Sequence, residues 1–387
     1  MKVDFVVPRY GPVCGAKNAV SALAKRVAEE TGWEVSLHAT CAHSSNTWEN
    51  VDEPGSEKVT ALSVHRYLVD SGRTEEWAVL DRQVQAQPST IDTVTQDEFF
   101  RHQGPVSTDL ARAVSASDAD LVFFAPYLFW STIAVAPTVL EKAVIVPAAH
   151  DEPFLRLARV GEGRRGSRGI LSGSQAEQKM LQAIHPVAHL PSTVLGWGIE
   201  EPLTVNSDVG AELGLADRPY VICVGRIEHA KGTLGLVDFW RTRRARSASQ
   251  HRLVLLGEPS VSIEEDEDIV VVSGADDDAK WSLLRGADFL VSPSAMESFS
   301  LVLFEAWASG IPVLVNGYCA TTREHVDEAR GGLWYRSYPE FEVAIERLTT
   351  DRDLRLRLAA NGRMFAEESY GWHDIVNRFT SFCEQLT

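Results

Sequence analysis

Cysteine is scarce in this chain and never paired: Cys14, Cys41, Cys223, Cys319 and Cys383 are odd in number, scattered, and form no C-x-x-C spacing. That excludes a disulfide framework or a zinc ribbon and favours a reducing, cytoplasmic setting. Long apolar runs are missing as well. None approaches the ~18 residues of a membrane-spanning helix. The opening MKVDFVVPRYGP has one lysine and a short apolar run before Pro8, so it reads as a first strand and not as a signal peptide. Basic charge is in deficit, with 37 Lys and Arg against 54 Asp and Glu and a formal net charge of −17. Extended nucleic-acid binding needs a basic face, so that class is set aside, and contact with anionic lipid is at most peripheral. Low-complexity segments are absent too.

What is present is an alternation. The 387 residues exceed what one hydrophobic core usually supports, and a hydrophobic content of 44% supplies ample core for two domains. Short β-branched runs (VDFVVPRY, EVSLHAT, ADLVFFAPYL, AVIVPAAHD, then YVICVGRI, HRLVLLG, DIVVVSG, DFLVSPS, IPVLVNG) are separated by helical patterns. That predicts buried parallel strands in α/β domains. The stretch from Cys41 to about Gln103 is polar and reads as loops with an extra helix or two. A Gly-, Pro- and Asp-rich stretch from Gly196 to Pro219 marks the linker. The expected domains are 1–200 and 201–369, with a helix at about 370–387 returning to the first. Two Rossmann-like, doubly wound sheets facing across a cleft would present ligands to the carboxyl ends of their strands.

The loops at those ends carry the candidate chemistry. GRIEHAKG places Arg226 and Lys231 just beyond one strand, where Gly225 allows close backbone approach and two cations suit a diphosphate. PSAMESFSLVLFEAWASG places Glu297 before a helix and Glu305 within it. Ser298 or Ser300 is expected to cap that helix, leaving the amides of Leu301 and Val302 for an anion. Carboxylates also accept hydrogen bonds well from the vicinal diols of sugars. Taken singly, each feature equally fits solvated surface.

Together, GRIEHAKG followed by PSAMESFSLVLFEAWASGIPVL resembles the retaining GT-B glycosyltransferases of family 4, the glycosyl transferases group 1. That family has Arg and Lys five apart, then Glu, seven residues and Glu, ahead of a G-x-P-V strand. HD in VIVPAAHDEP, His150 and Asp151, resembles its strand-end histidine. The likeness is strong from about Tyr220 to Val315 and looser elsewhere. One departure stands in the first glycine turn, where CGAK puts Cys14 and Lys17 in place of Gly and Glu and retains Gly15.

The resemblance implies a GT-B fold and transfer of a hexosyl group, with retention, from a UDP- or GDP-linked sugar to an acceptor hydroxyl. By it, Glu305 would hold the ribose, and Arg226 and Lys231 would neutralise the departing diphosphate. Glu297, helped by the backbone near Phe299 to Val302, would contact the transferred sugar, and His150 would hydrogen-bond that sugar. No metal or other cofactor is expected. The acceptor is open among glycans, lipid-linked intermediates and small natural products. The competing readings are an epimerase or hydrolase of the same fold, and a pseudo-transferase that only binds a sugar nucleotide.

Other motifs take plainer readings. Asp118 and Asp120 form a D-x-D triplet that precedes its strand, at the end away from the ligand edge, so it reads as a turn. Glu264 to Asp268 and Asp276 to Asp278 read as solvated loops, the latter also favouring a helix start. Arg164 to Arg168 reads as a flexible loop and Arg241 to Arg246 as a helix end. Tyr127, Phe129 and Trp130 are candidates for core or for an acceptor pocket.

Overall fold

The computed structural model describes residues 1–11, 19–202, 205, 209–215, 218–247 and 250–387. They divide into two compact units: Met1–Gly198 with Trp372–Thr387, and Ile199–Gly371. The first contains β1 (Lys2–Arg9), β2 (Glu34–Thr40), β3 (Gly55–Val59), β4 (Leu62–Tyr67), β5 (Leu121–Phe124), β6 (Ala143–Ile145), β7 (Gly169–Ser172) and β8 (Ser192–Val194). Their spatial order is β3-β4-β2-β1-β5-β6-β7-β8. All neighbours are parallel except β3 and β4, an antiparallel hairpin.

That hairpin and the helices Trp77–Ala86 and Thr93–Gln103 occupy the stretch read as loops with an extra helix or two. The strands escaped notice because β3, GSEKV, is an edge strand exposed over four of its five residues, and edges carry polar residues that break the apolar signal.

The second unit contains β9 (Tyr220–Val224), β10 (Arg252–Leu256), β11 (Ile269–Val272), β12 (Leu290–Ser292), β13 (Val313–Asn316) and β14 (Gly332–Tyr335). The order β11-β10-β9-β12-β13-β14 is parallel throughout. Numbered within the unit this is 3-2-1-4-5-6, the doubly wound order that reverses between its first and fourth strands. The reversal lies between β9 and β12. Their following loops carry Arg226, Lys231 and Glu297, so topology alone brings these side chains to one place. β14 had no strand signal, being four residues long and only partly buried.

The last helix, Trp372–Leu386, buries Ile375, Val376, Phe379, Phe382, Cys383 and Leu386 on one face. Phe379 packs 4.9 Å from Phe123 and 5.8 Å from Phe5, ring centre to ring centre, within the first unit. Arg168 donates to the Leu386 carbonyl at 2.7 Å. Among the described residues, no helix is long and apolar enough to cross a membrane.

Candidate functional site

Two glycines bring the loops after β9, β10 and β12 into contact. Gly257 has φ +152°, and a Cβ there would lie 2.0 Å from the Gly225 carbonyl oxygen. Gly232 has φ +73°, and a Cβ there would lie 2.7 Å from the Pro293 carbonyl oxygen. A side chain at either position would push the strand ends apart. With the loops drawn together, the Lys231 ammonium donates to the Glu297 carboxylate at 2.7 Å. Arg226 pairs with Glu228 at 3.0 Å, yet its side chain stays 70% exposed. The sequence suggested cations for the diphosphate of a donor and a carboxylate for its sugar; the structure pairs Lys231 with Glu297 directly.

The helix Leu301–Ala308 follows. Ser300 is its N-cap residue, but its side chain makes no capping hydrogen bond and its backbone is left-handed, φ +70°. The expected serine cap at this position is therefore corrected: a β-region cap geometry is what lets a side chain reach the next amides, and Ser300 does not have it. Holding a non-glycine residue there costs about 1–3 kcal/mol. The adjoining anchor is Phe299, buried, stacked on Phe304 at 4.6 Å and met edge-on by His325 at 5.0 Å. Its side chain faces the core, so only its backbone is available to a ligand. The first two amides, of Leu301 and Val302, have no partner within the helix by geometry, whereas Leu303 donates to the Ser300 carbonyl at 3.1 Å.

Glu305 is not alone at its position. Lys280 donates to it at 2.7 Å and stands 3.3 Å from Asp277. Burial works against the Lys280 charge, but Glu305 and then Asp277 outweigh it and raise its pKa above the ordinary lysine value. Sequence reasoning missed Lys280. The available signal was DDDAK itself: Asp276 caps the helix Asp277–Gly286 through the Ala279 amide at 2.8 Å, which places Lys280 one turn on. The acidic run is thus a cap and an ion-pair partner, as well as a solvated loop.

In the first unit, His150 follows β6. Its Nε2 lies 3.3 Å from a Glu152 oxygen, and the other Glu152 oxygen accepts the Tyr127 hydroxyl at 2.5 Å. Asp151 pairs with Arg156 at 2.6 Å. The backbone before His150 is clamped: the amides of Ala149 and Gly173 both donate to the buried Glu177. Burial pushes Glu177 up to about 7, while those two amide bonds and the Arg164 charge hold it down.

Arg164 corrects the flexible-loop reading of Arg164 to Arg168. It ends the helix Ala158–Arg165, is fully buried, and has no hydrogen-bond partner on its guanidinium nitrogens. Its guanidinium carbon lies 5.0 Å from the Tyr127 ring centre, and burial lowers its pKa to about 10. Tyr127 is buried and therefore core, Phe129 is half-buried and meets Trp48 edge-on at 5.3 Å, and Trp130 lines a surface cleft with Phe100, Ile133 and Leu140. Gly15, with Cys14 and Lys17, lies outside the described residues.

The remaining motifs are structural. Asp118 and Asp120 bind the side chain and amide of Lys2 at the amino end of the sheet. Asp268 is no solvated acid: it pairs with Arg218 at 2.7 Å and Arg244 at 2.5 Å. Arg243, inside the run expected at a helix end, is buried against Trp240 and reaches Glu346 at 3.4 Å.

Residues 210–365 match the family model for glycosyl transferases group 1. A D-inositol 3-phosphate glycosyltransferase of Stackebrandtia nassauensis is 29% identical over 238 residues, 55% of this chain and 54% of its own. The GDP-mannose-dependent alpha-(1-6)-phosphatidylinositol monomannoside mannosyltransferase of Mycobacterium tuberculosis is 22% identical over 309 residues, 72% of this chain and 80% of its own. The chain thus spans only about half the length of the inositol-phosphate relative.

Solved structures also match over the full chain. Sucrose-phosphate synthase from Thermosynechococcus elongatus has a TM-score of 0.74 at 17% identity, covering 100% of this chain and 99% of that one. A trehalose-6-phosphate structure from E. coli, bound with UDP-2-fluoro glucose, has a TM-score of 0.75 at 12% identity, covering 100% of both. Likeness at such identity carries the fold alone: the chain has the GT-B architecture, with two Rossmann-like α/β units.

Proposed function

We propose that this chain, whose residues 210–365 carry the group 1 glycosyltransferase match, is a retaining glycosyltransferase. It moves a hexosyl group from a UDP- or GDP-linked donor to an acceptor hydroxyl and needs no metal. The observation that carries this reading is the Lys231–Glu297 pair at 2.7 Å, at the point where the strand order of the second unit reverses. A doubly wound sheet binds its ligand at that crevice. There a carboxylate suited to sugar hydroxyls touches a cation suited to phosphate. The relatives support the reading: one is named for GDP-mannose, and one structural neighbour holds a UDP-sugar.

In this mechanism the glycosyl–phosphate bond breaks with oxocarbenium character on the sugar and negative charge on the diphosphate. Arg226, Lys231 and the first amides of the helix Leu301–Ala308 stabilise the departing charge, which is where placed donors contribute most. Glu297 contacts the transferred sugar and Glu305 the ribose. His150 hydrogen-bonds the sugar. The leaving phosphate takes the proton of the acceptor hydroxyl on the same face, so no protein nucleophile is required.

A thermal-shift panel of nucleoside diphosphates and their sugars tests the donor class. A true donor at 100 times its dissociation constant adds about 2.7 kcal/mol of stability. No stabilisation by any member would overturn the reading. Nucleoside diphosphate release that depends on an acceptor and persists in excess EDTA is the expected activity. Release at the same rate without acceptor would mark a hydrolase, and loss under EDTA with recovery on Mn²⁺ would overturn charge compensation by the two cations.

A further inference from the structure

We infer that Tyr318, Trp334 and Arg336 form a binding site for a sugar ring that carries an anionic group, a phosphate or a carboxylate. That the ligand is a sugar rests on the function proposed above; the anion subsite does not.

The sequence of β14 and its exit, GLWYRS, alternates. Tyr335 is buried, so Trp334 and Arg336 fall together on the other side. Trp334 is 38% exposed. The neighbouring strand β13 runs out into NGYC, where Tyr318 stands 68% exposed in the turn. Two bonds join the segments. The Gly317 amide donates to the Tyr335 carbonyl at 2.7 Å, and Arg336 Nε donates to the Gly317 carbonyl at 3.3 Å. A Cβ on Gly317 would lie 2.8 Å from the Trp334 ring and 3.0 Å from Arg336 Cγ, so glycine is what lets both side chains lie against the turn. The Arg336 guanidinium carbon is then 5.7 Å from the Tyr318 ring centre and 5.3 Å from that of Trp334.

The charge in the middle of this platform is unanswered. Among the described residues, no carboxylate lies within ion-pair distance of the Arg336 guanidinium, although the chain has 54 Asp and Glu. The acids that touch this segment serve other donors: Glu340 accepts the Arg336 backbone amide at 2.6 Å, and Asp327 accepts the Trp334 indole N–H at 3.2 Å. Exposed cation–π contacts add little to stability, so bracing the fold does not account for two aromatic rings kept in water. A guanidinium that is stacked by its face keeps its edge for paired hydrogen bonds to phosphate or carboxylate. The bond to Gly317 uses Nε and leaves both terminal nitrogens for that purpose. The flanking rings offer flat apolar surface to the C–H face of a pyranose.

The platform lies at the carboxyl edge of the sheet, where doubly wound folds bind ligands. Its turn is also tied to the proposed donor site. The Asn316 side chain accepts the Tyr318 amide at 3.0 Å and donates to the Pro293 carbonyl at 2.9 Å, in the loop that carries Glu297.

The ¹⁹F spectrum of the full chain labelled with 5-fluorotryptophan tests this, the Trp334 signal being assigned by its loss in Trp334→Phe. Glucose 6-phosphate and glucuronate are the probes, and the tighter of the two names the anion. Glucose and inorganic phosphate serve as the separate halves. An anionic sugar should shift the Trp334 signal saturably, at least about tenfold more tightly than either half, the scale of a hydrogen bond to a charged group. Arg336→Gln should reduce that affinity to the level of glucose. Arg336→Lys should recover only part, because an ammonium does not reproduce the fork. Tyr318→Ala should weaken the sugars and spare inorganic phosphate, and Lys231→Ala should leave every probe unchanged. Both platform side chains are exposed, so the variants should keep the wild-type melting temperature. A Trp334 signal unmoved by either anionic sugar, or an affinity indifferent to Arg336→Gln, overturns the inference. Inorganic phosphate bound as tightly as glucose 6-phosphate overturns it as a sugar site. Stabilisation by nucleoside diphosphate keeps the two readings apart. It should be the same in Arg336→Gln as in wild type. If it is absent from wild type while Trp334 responds, the transferase reading fails and the platform stands; the reverse result removes the platform alone.

Discussion

The carboxyl edges of the two sheets carry charge in opposite ways. In the second unit the charged groups meet as partly exposed side-chain pairs, Lys231 with Glu297 and Arg226 with Glu228 in the loops after the strands, and Lys280 with Glu305 between two helices. In the first unit Glu177 is spent on two backbone amides and Arg164 is buried against Tyr127. Partly exposed ion pairs contribute little to stability, so the first set can exchange partners with a ligand at small cost. A buried charge stripped of its partner costs several kcal/mol, so the second set is fixed scaffold. One edge is built to be displaced and the other to hold a histidine still.

The hardest way to break that comparison is to remove a cation from the open edge. Arg226→Ala or Lys231→Ala should lower turnover by roughly two orders of magnitude, about 3 kcal/mol, because each removes a donor to developing charge. The two should then differ in coupling. Lys231 touches Glu297, so the Lys231→Ala and Glu297→Gln effects should be non-additive, whereas Arg226→Ala with Glu297→Gln should add to within about 0.5 kcal/mol. Near wild-type turnover in both alanine variants would remove the phosphate assignment. Additivity in both cycles would mean that the 2.7 Å pair is incidental.

A smaller effect separates the two glutamates. Alanine at either position would strand Lys231 or Lys280, so the amide variants are the cleaner probes. Glu305→Gln should weaken free nucleoside diphosphate and sugar nucleotide alike, by about 1.5–3 kcal/mol, the scale of a hydrogen bond to a charged group. Glu297→Gln should spare the free diphosphate and weaken only the sugar nucleotide. Calorimetric titration of both ligands into both variants decides it, and equal losses throughout would show that the carboxylates do not read different sugars.

The contrast between the edges also explains what could be read without a structure. The parallel strands were legible because burial on both faces makes a strand nearly all apolar, as in VDFVV and YVICV. Arg226 and Lys231 stood out as cations beside glycines at a strand end, and Glu297 and Glu305 as two carboxylates in an otherwise largely apolar stretch. Lys280 did not, because it reaches Glu305 from another helix and nothing in the intervening residues encodes that approach. Glu152 and Glu177 were invisible for a related reason: each is one acid among 54 Asp and Glu, and only the fold reveals that one faces an imidazole and the other a pair of amides. Arg164 misled outright, since a basic, glycine-containing run has the composition of a loop and its burial is a tertiary fact.

The smallest expected effect concerns acid stability, where the two units should behave alike despite their different edges. Each contains a buried histidine whose pKa is held below the ordinary value. His185, in the first unit, is lowered to about 4 by burial and by the charge of Arg164, with its Nε2 2.7 Å from the Leu155 carbonyl. His325, in the second, is lowered to about 4 by burial among Phe299, Phe304 and Tyr370. In the unfolded chain both bind a proton near 6.5. Below that pH the unfolded state therefore holds more protons than the native state, and stability falls as pH drops. The stabilisation is complete above pH 6.5 and is lost progressively toward pH 4. Melting temperature should accordingly decline between pH 7 and 5. Replacing His325 by Phe, which the aromatic surroundings accept, should flatten the decline for the transition that reports the second unit. His185→Gln, which keeps a donor toward Leu155, should do the same for the first. An identical slope in wild type and both variants would mean that neither histidine is held neutral.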